Sequence, residues 1–185
     1  IKKSEHELIV EKSVKNVRPY TTCAIVKNLH FTDEKIREII QIQEKLHVTF
    51  CRNRKKGAIG IYPFEKIKTP IRFIAKKPKD IKFRPLESDL EMDGLQILRN
   101  HHTGREFAHL LEGMDMFPIF IDSNDEILSL PPIINSHNTG KITEKTKDVF
   151  IECSGFDFLL LKQCLNIIVT ALADMGGEIY SMKLT

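Results

Sequence analysis

The sequence predicts an α+β fold with a long, buried C-terminal helix. Three observations carry this. Short apolar runs bounded by Pro, Gly, Asn and Asp recur along the chain, the pattern of strands joined by turns. The helical stretches are few and set apart from those runs. The stretch from Phe158 to Leu172 is apolar around most of its circumference, which marks a helix buried rather than half-covered.

The bounds agree with a single domain. The chain has 185 residues, of which 42% are hydrophobic, enough to bury a sizeable core. A net charge of +3 is mildly basic, compatible with RNA contact without requiring it. The chain opens on Ile1 with no charged-then-apolar leader, so it reads as a fragment of a longer polypeptide. No apolar run reaches the roughly 18 to 20 residues of a membrane span. Cys23, Cys51, Cys153 and Cys164 fall at no metal-ligand spacing. They read as reduced, partly buried thiols of an intracellular, cytoplasmic protein.

Taken in order, Glu7 to Lys12 and Thr22 to Asn28 read as strands. Thr32 caps a helix with Asp33 and Glu34 in its first turn, where the helix dipole favours acids. Ile36, Ile39, Ile40 and Leu46 share one face of it. Arg52, Arg54, Lys55 and Lys56 then form a basic run ahead of a strand over Ala58 to Tyr62. By residue type alone that run is a solvated turn; beside RNA it would contact phosphate. Gly60 inside the strand implies a bulge or a close backbone approach. Strands follow at Ile71 to Ala75 and Ile81 to Phe83, with a second basic cluster at Lys76, Lys77, Lys79, Lys82 and Arg84. Ser88 to Leu98 reads as a helix anchored by Leu90, Leu95 and Leu98. Another helix starts at Thr103 or Gly104 and stops at Gly113. His101, His102 and His109 lack the spacing of a zinc site, so they read as capping or surface residues.

The organising stretch is Phe117 to Asp157. It holds strands at Phe117 to Asp122, Glu126 to Leu130 and Asp148 to Cys153. Pro131 and Pro132 lack ladder donors, so the chain leaves the sheet there while staying stiff. A stiff loop carrying Ser129, Asn135 and Ser136, beside a strand bearing Glu152, makes a polar pocket in an apolar wall. Asp157 caps the last helix, Gly176-Gly177 ends it, and Glu178 to Leu184 closes the chain as a strand.

The segments LSLPPIINS, TGKIT, TKDVFIECSG and LNIIVTALADMGG resemble the amino-acid editing domain of the phenylalanyl-tRNA synthetase beta subunit, in its archaeal and eukaryotic form. The likeness continues upstream through CRNRKKGAIG, KDIKFRPL and HHTGREFAHLLEG and covers nearly the whole chain as one editing domain, residues 1–185. It implies a closed β-barrel core with an additional α+β layer. It also implies hydrolysis of tyrosyl-tRNA carrying phenylalanine tRNA, within an aminoacyl-tRNA synthetase. The implied partners are tRNA and a synthetase alpha subunit in a heterotetramer, with ATP and magnesium belonging to the parent ligase and no cofactor or metal to this domain. Positions Phe120, Ser129, Asn135, Glu152 and Ser154 are those that line the family's pocket.

Each of the five has a plainer reading by residue type. Glu152 would be a surface carboxylate on an edge strand, Asn135 a turn residue, Ser129 a partner for nearby backbone, and Phe120 core. The resemblance lifts them above it: Ser129 and Asn135 as catalytic residues, Phe120, Glu152 and Ser154 as substrate contacts. No G-x-S-x-G, reactive-cysteine context or phosphate-cradling glycine loop is present, so a covalent intermediate is not expected. Positioning a water against an activated ester remains. A hydrophobic phenylalanine pocket rejects tyrosine by only about 10²-fold, whereas a second site that demands the hydroxyl discriminates far more sharply. An alternative with the same fold is a non-catalytic module that docks RNA or a partner subunit.

Overall fold

A computed structural model describes residues 1–185. In chain order the elements are β1 (Lys2–Val10), β2 (Tyr20–Lys27), α1 (Asp33–Val48), β3 (Gly57–Pro63), β4 (Ile71–Lys76), β5 (Lys82–Phe83), β6 (Met92–Asp93), α2 (Gly94–Asn100), α3 (His102–Phe107), β7 (Phe117–Ile121), β8 (Ile127–Leu130), β9 (Ile134–Asn135), β10 (Val149–Gly155), α4 (Phe158–Asp174) and β11 (Glu178–Leu184). Nine strands form one sheet in the order β3-β10-β2-β11-β1-β4-β7-β8-β9, and β5 pairs with β6 apart from it. β1 runs parallel to β11 and to β4. The other ladders are antiparallel.

The sheet curls until its two ends face each other. The hydroxyl of Tyr62 on β3 lies 2.7 Å from Ser129 Oγ on β8. The expected barrel is therefore nearly closed, and the edge of β3 shows why it does not close by a ladder. On the free edge of β3, the Ile59 N–H donates to His47 Nε2 (2.9 Å) and the Ile59 carbonyl accepts from Gln43 Nε2 (2.7 Å). Two side chains of α1 thus satisfy the backbone groups that a neighbouring strand would use.

Three apolar clusters fill the fold. Leu8, Tyr62, Phe73, Phe120 and Phe150 lie among the side chains inside the curl. Ile59, Ile61, Val149, Ile151 and Cys153 pack outward against α1 and α4. Ile74, Phe117, Ile119 and Leu130 pack against Ile97 of α2 and its surroundings, the added α+β layer.

Several elements differ in extent from the sequence reading. β1 begins at Lys2 because it pairs on both sides, with β11 and β4, while Lys12–Val14 is a 3-10 turn. No helix spans Ser88 to Leu98. Ser88 Oγ accepts from the Leu90 N–H at 3.1 Å and donates to its carbonyl at 2.9 Å, fixing a turn, and Leu90 is exposed. The helix starts only after Asp93, which forms a capping box with Gln96. α3 starts at His102, just ahead of the expected Thr103 or Gly104; His101 caps it, accepting from the Thr103 N–H, while His102 and His109 are exposed. α1 caps on Thr32 as expected, but Ile40 is turned outward and His47 inward. After the double proline the chain returns to the sheet as β9, with Asn135 opposite Ser129. α4 caps on Asp157 and buries Leu161, Cys164, Ile168 and Leu172, but only on that face. Phe158, Leu159 and Ile167 stay exposed, so the helix is covered less completely than its composition suggested. No helix is long and apolar enough to cross a membrane.

Candidate functional site

The seam where the sheet fails to close holds a cavity of about 380 Å³. One wall is α1 and β3, with Gln43, Glu44, His47, Ala58 and Ile61. The other is the segment from Ser129 through Pro131, Pro132 and Ile134 to Asn135, closed off by Gly140 and Ile142. Glu152 on β10 forms part of the lining between them. The double proline shapes the second wall: it carries the chain out of β8 and back into β9, so Ser129 and Asn135 end up side by side.

Glu152 is only 3% exposed. Its Oε1 accepts from the Tyr62 hydroxyl at 2.9 Å, and its Oε2 has no hydrogen-bond partner. Burial, opposed by the Tyr62 hydrogen bond and by the charge of Arg18, pushes its pKa up to about 8. Gly60 sits opposite Glu152 in the ladder, and a Cβ there would collide with Glu152 Oε1 and with the Tyr62 hydroxyl. The register through Gly60 is unbroken, so this glycine serves a close approach and not a bulge.

Arg18 lies behind this carboxylate. It is 2% exposed, its Nε donates to Ser154 Oγ (2.8 Å) and its Nη2 to the Ser154 carbonyl (2.6 Å). Burial pushes its pKa down to about 10. Desolvation likewise keeps His47 below its ordinary pKa, consistent with a neutral ring that accepts from Ile59 and donates towards Glu44.

The structure brings Ser129, Asn135 and Glu152 together at the cavity. It separates the other two expected pocket residues from it. Phe120 is fully buried inside the curl, stacked on Phe73 at 4.3 Å, beside Ser129 in register. Ser154 shares the Glu152 face of β10 but is fully buried on Arg18. Neither lines the cavity.

The basic run also divides. Arg52, Asn53 and Arg54 all take left-handed backbone angles, with φ of 49°, 55° and 69°. That turn points Arg54 inward. Its Nη1 donates to the carbonyls of Pro132 (3.1 Å) and Ile133 (3.0 Å), and its guanidinium lies 4.2 Å above the Phe107 ring. Arg54 clamps the proline loop across the seam and is not free for a phosphate. Arg52 and Lys55 are exposed and Lys56 half-buried, and none is in an ion pair with a carboxylate.

Sequence reasoning missed Tyr62, Arg18, Gln43 and His47. Only Tyr62 carried a usable signal, as a hydroxyl-bearing aromatic two residues from a strand glycine.

No family model matches the chain. Curated relatives do. It is 41% identical over 183 residues to the phenylalanine–tRNA ligase beta subunit of Thermococcus sibiricus, covering 99% of this chain and 33% of that protein. The corresponding subunit of Thermococcus kodakarensis is 43% identical, with 99% of this chain and 32% of that protein covered. Among solved structures, an N-terminal fragment of the phenylalanyl-tRNA synthetase beta subunit from Pyrococcus horikoshii superposes with a TM-score of 0.97. It is 42% identical and covers 100% of this chain and 53% of that fragment. By fold and sequence, then, the chain is homologous to a region of an aminoacyl-tRNA synthetase. That region is the N-terminal part of the phenylalanine–tRNA ligase beta subunit, and the chain spans about a third of the length of those relatives.

Proposed function

We propose that the seam cavity is a proofreading site that hydrolyses tyrosyl-tRNA mischarged on phenylalanine tRNA. The observation that carries this is the buried, unpartnered Oε2 of Glu152, a residue of the cavity wall. A buried acceptor without a partner is costly, and a ligand hydroxyl that donates to it recovers that cost. A phenylalanine ring brings no donor, so it leaves Oε2 bare. Ser129 and Asn135 stand across the cavity, where they can orient a water at the ester. Phe120 and Ser154 support this arrangement from behind, through Phe73 and Arg18. The kinship with phenylalanine–tRNA ligase beta subunits supports the same reading. The alpha subunit, tRNA, and the ATP and magnesium of aminoacylation belong to the proposed parent assembly, working in the cytoplasm.

The test is deacylation by the assembled synthetase, comparing tyrosyl and phenylalanyl esters on the same tRNA. Rapid loss of the tyrosyl ester alone is expected. Equal, slow loss of both sinks the reading. One observation favours a second reading, a docking module: Tyr20, Phe156, Phe158 and Leu159 form a contiguous exposed apolar patch. Absence of deacylation combined with loss of assembly on Leu159→Glu would select it.

A further inference from the structure

Tyr62 makes two side-chain hydrogen bonds at the pocket, one across the seam to Ser129 on β8 and one to Glu152 on the neighbouring strand β10. Its ring is fully buried and stacked on Phe150, and its hydroxyl lies 2.7 Å from Ser129 Oγ and 2.9 Å from Glu152 Oε1. A phenol has one proton to give, and an ionised carboxylate has none. With Glu152 ionised, the Tyr62 proton must lie on the bond to Oε1. The bond to Ser129 must then be donated by Ser129. The serine proton is spent towards Tyr62, and the lone pairs of Ser129 remain for the cavity.

We propose that Tyr62 is a positioning residue of the pocket: whenever Glu152 is ionised, the single proton of Tyr62 fixes the direction of the Ser129–Tyr62–Glu152 chain, so that Ser129 Oγ and Glu152 Oε2 both meet the ligand as acceptors. This inference rests on the proofreading reading of the cavity and deepens it. The cavity then recognises donors: the phenol at Oε2, and one hydrogen of a water at Ser129. A proton placed on Oε1 would run the chain the other way and turn Ser129 into a donor.

The protonation of Glu152 is therefore part of the device. The groups that face it are Tyr62 from β3, Ser129 from β8, Cys23 from β2 and Arg18 from the segment before β2. Cys23 stays a neutral thiol, its pKa pushed up to about 12 by burial and by Glu152. Arg18 favours the ionised carboxylate, and so does the Tyr62 hydrogen bond. A phenol arriving at Oε2 favours it further, so tyrosyl binding releases a proton and tightens as pH rises through the Glu152 midpoint.

The experiment uses the assembled synthetase and two non-hydrolysable probes, the 3′-amide analogues of tyrosyl- and phenylalanyl-adenosine. Their affinities are measured calorimetrically across pH. In Tyr62→Phe the preference for the tyrosyl probe should fall about tenfold, the scale of one hydrogen bond to a charged group, and the midpoint of its pH dependence should rise. Replacing Tyr62 by 3-fluorotyrosine keeps the shape and strengthens the donor, so that midpoint should move down. An unchanged midpoint and preference in either variant overturns the proposal, as does a uniform loss of affinity for both probes. If the unaltered protein prefers the tyrosyl probe and Tyr62→Phe loses that preference, but no ester is hydrolysed, the role of Tyr62 stands and the hydrolytic function falls. No tyrosyl preference in the unaltered protein overturns both.

Discussion

The two faces of β10 differ although both are buried throughout. Val149, Ile151 and Cys153 point outward to α1 and α4 and pack in an apolar cluster, with Thr22 opposite Cys153 the polar neighbour. Phe150, Glu152 and Ser154 point into the curl, where the strand turns from aromatic to carboxylate to hydroxyl within five residues. The outward face needs only the right volume and tolerates swaps of similar shape. The inward face needs particular atoms in a particular protonation state, because each polar group there has left water. A strand buried on both sides can therefore hold stability on one face and selection on the other, and changes to one should leave the other largely intact.

The largest expected effect tests the outward face. Ile151→Ala should destabilise the fold by about 2 to 5 kcal/mol through the cavity it leaves, read as a lowered denaturation midpoint. The preference for tyrosyl over phenylalanyl ester should persist while the protein is folded. Loss of that preference at unchanged stability would show that the two faces are not separable.

Next comes the stability cost of the inward carboxylate. The pKa of Glu152 is raised in the fold to about 8, so folding retains a proton that the unfolded chain gives up. No cost exists below the ordinary carboxylate pKa. Stability is then lost as pH rises towards 8 and levels off beyond it. Glu152→Gln removes this slope and should gain on the order of a few kcal/mol over the unaltered protein at pH 8, with little gain at pH 4. Parallel stability curves for the two proteins would contradict the burial of an ionisable group here.

Selection follows. Glu152→Ala should slow hydrolysis of the tyrosyl ester by roughly one to two orders of magnitude and barely alter the phenylalanyl ester. The difference should be wider at pH 8.5 than at pH 6.5, where the carboxyl is mostly protonated. An equal fall for both esters would make Glu152 structural. The smallest effect lies off the strand altogether. Arg52→Glu with Lys55→Glu should weaken tRNA binding several-fold and flatten its salt dependence, with neither face of β10 disturbed. Unchanged binding and salt slope would leave both residues as a solvated turn.

The sequence made the strands legible wherever a single local pattern governed them. Phe117–Ile121 and Val149–Gly155 are apolar runs closed by turn residues, and both were placed within two residues of their ends. Legibility failed where local signals competed. The leucine spacing of Ser88 to Leu98 fits a helix, but Ser88 and Asp93 both form local side-chain bonds, and the capping box at Asp93 decided the start. Arg54 belongs to a charge run on paper, and only the left-handed turn shows it facing inward. The site was half legible. Glu152, Ser129 and Asn135 could be named through resemblance, but Tyr62 lies 67 positions from Ser129 and 90 from Glu152. No periodicity reports a contact of that separation; it exists only once the sheet has curled.

One strand governs when that curl can form. β11 sits between β2 and β1 and is the link between β3-β10-β2 and the rest of the sheet. During synthesis the two part-sheets must therefore wait for residues 178–184 before they register against each other. Such late, long-range pairing makes folding slow and leaves the edges of β2 and β1 open to other chains meanwhile. Removal of residues 178–185 should abolish cooperative unfolding and promote aggregation. A truncated chain that still melts in one sharp transition would show that the halves find each other without it.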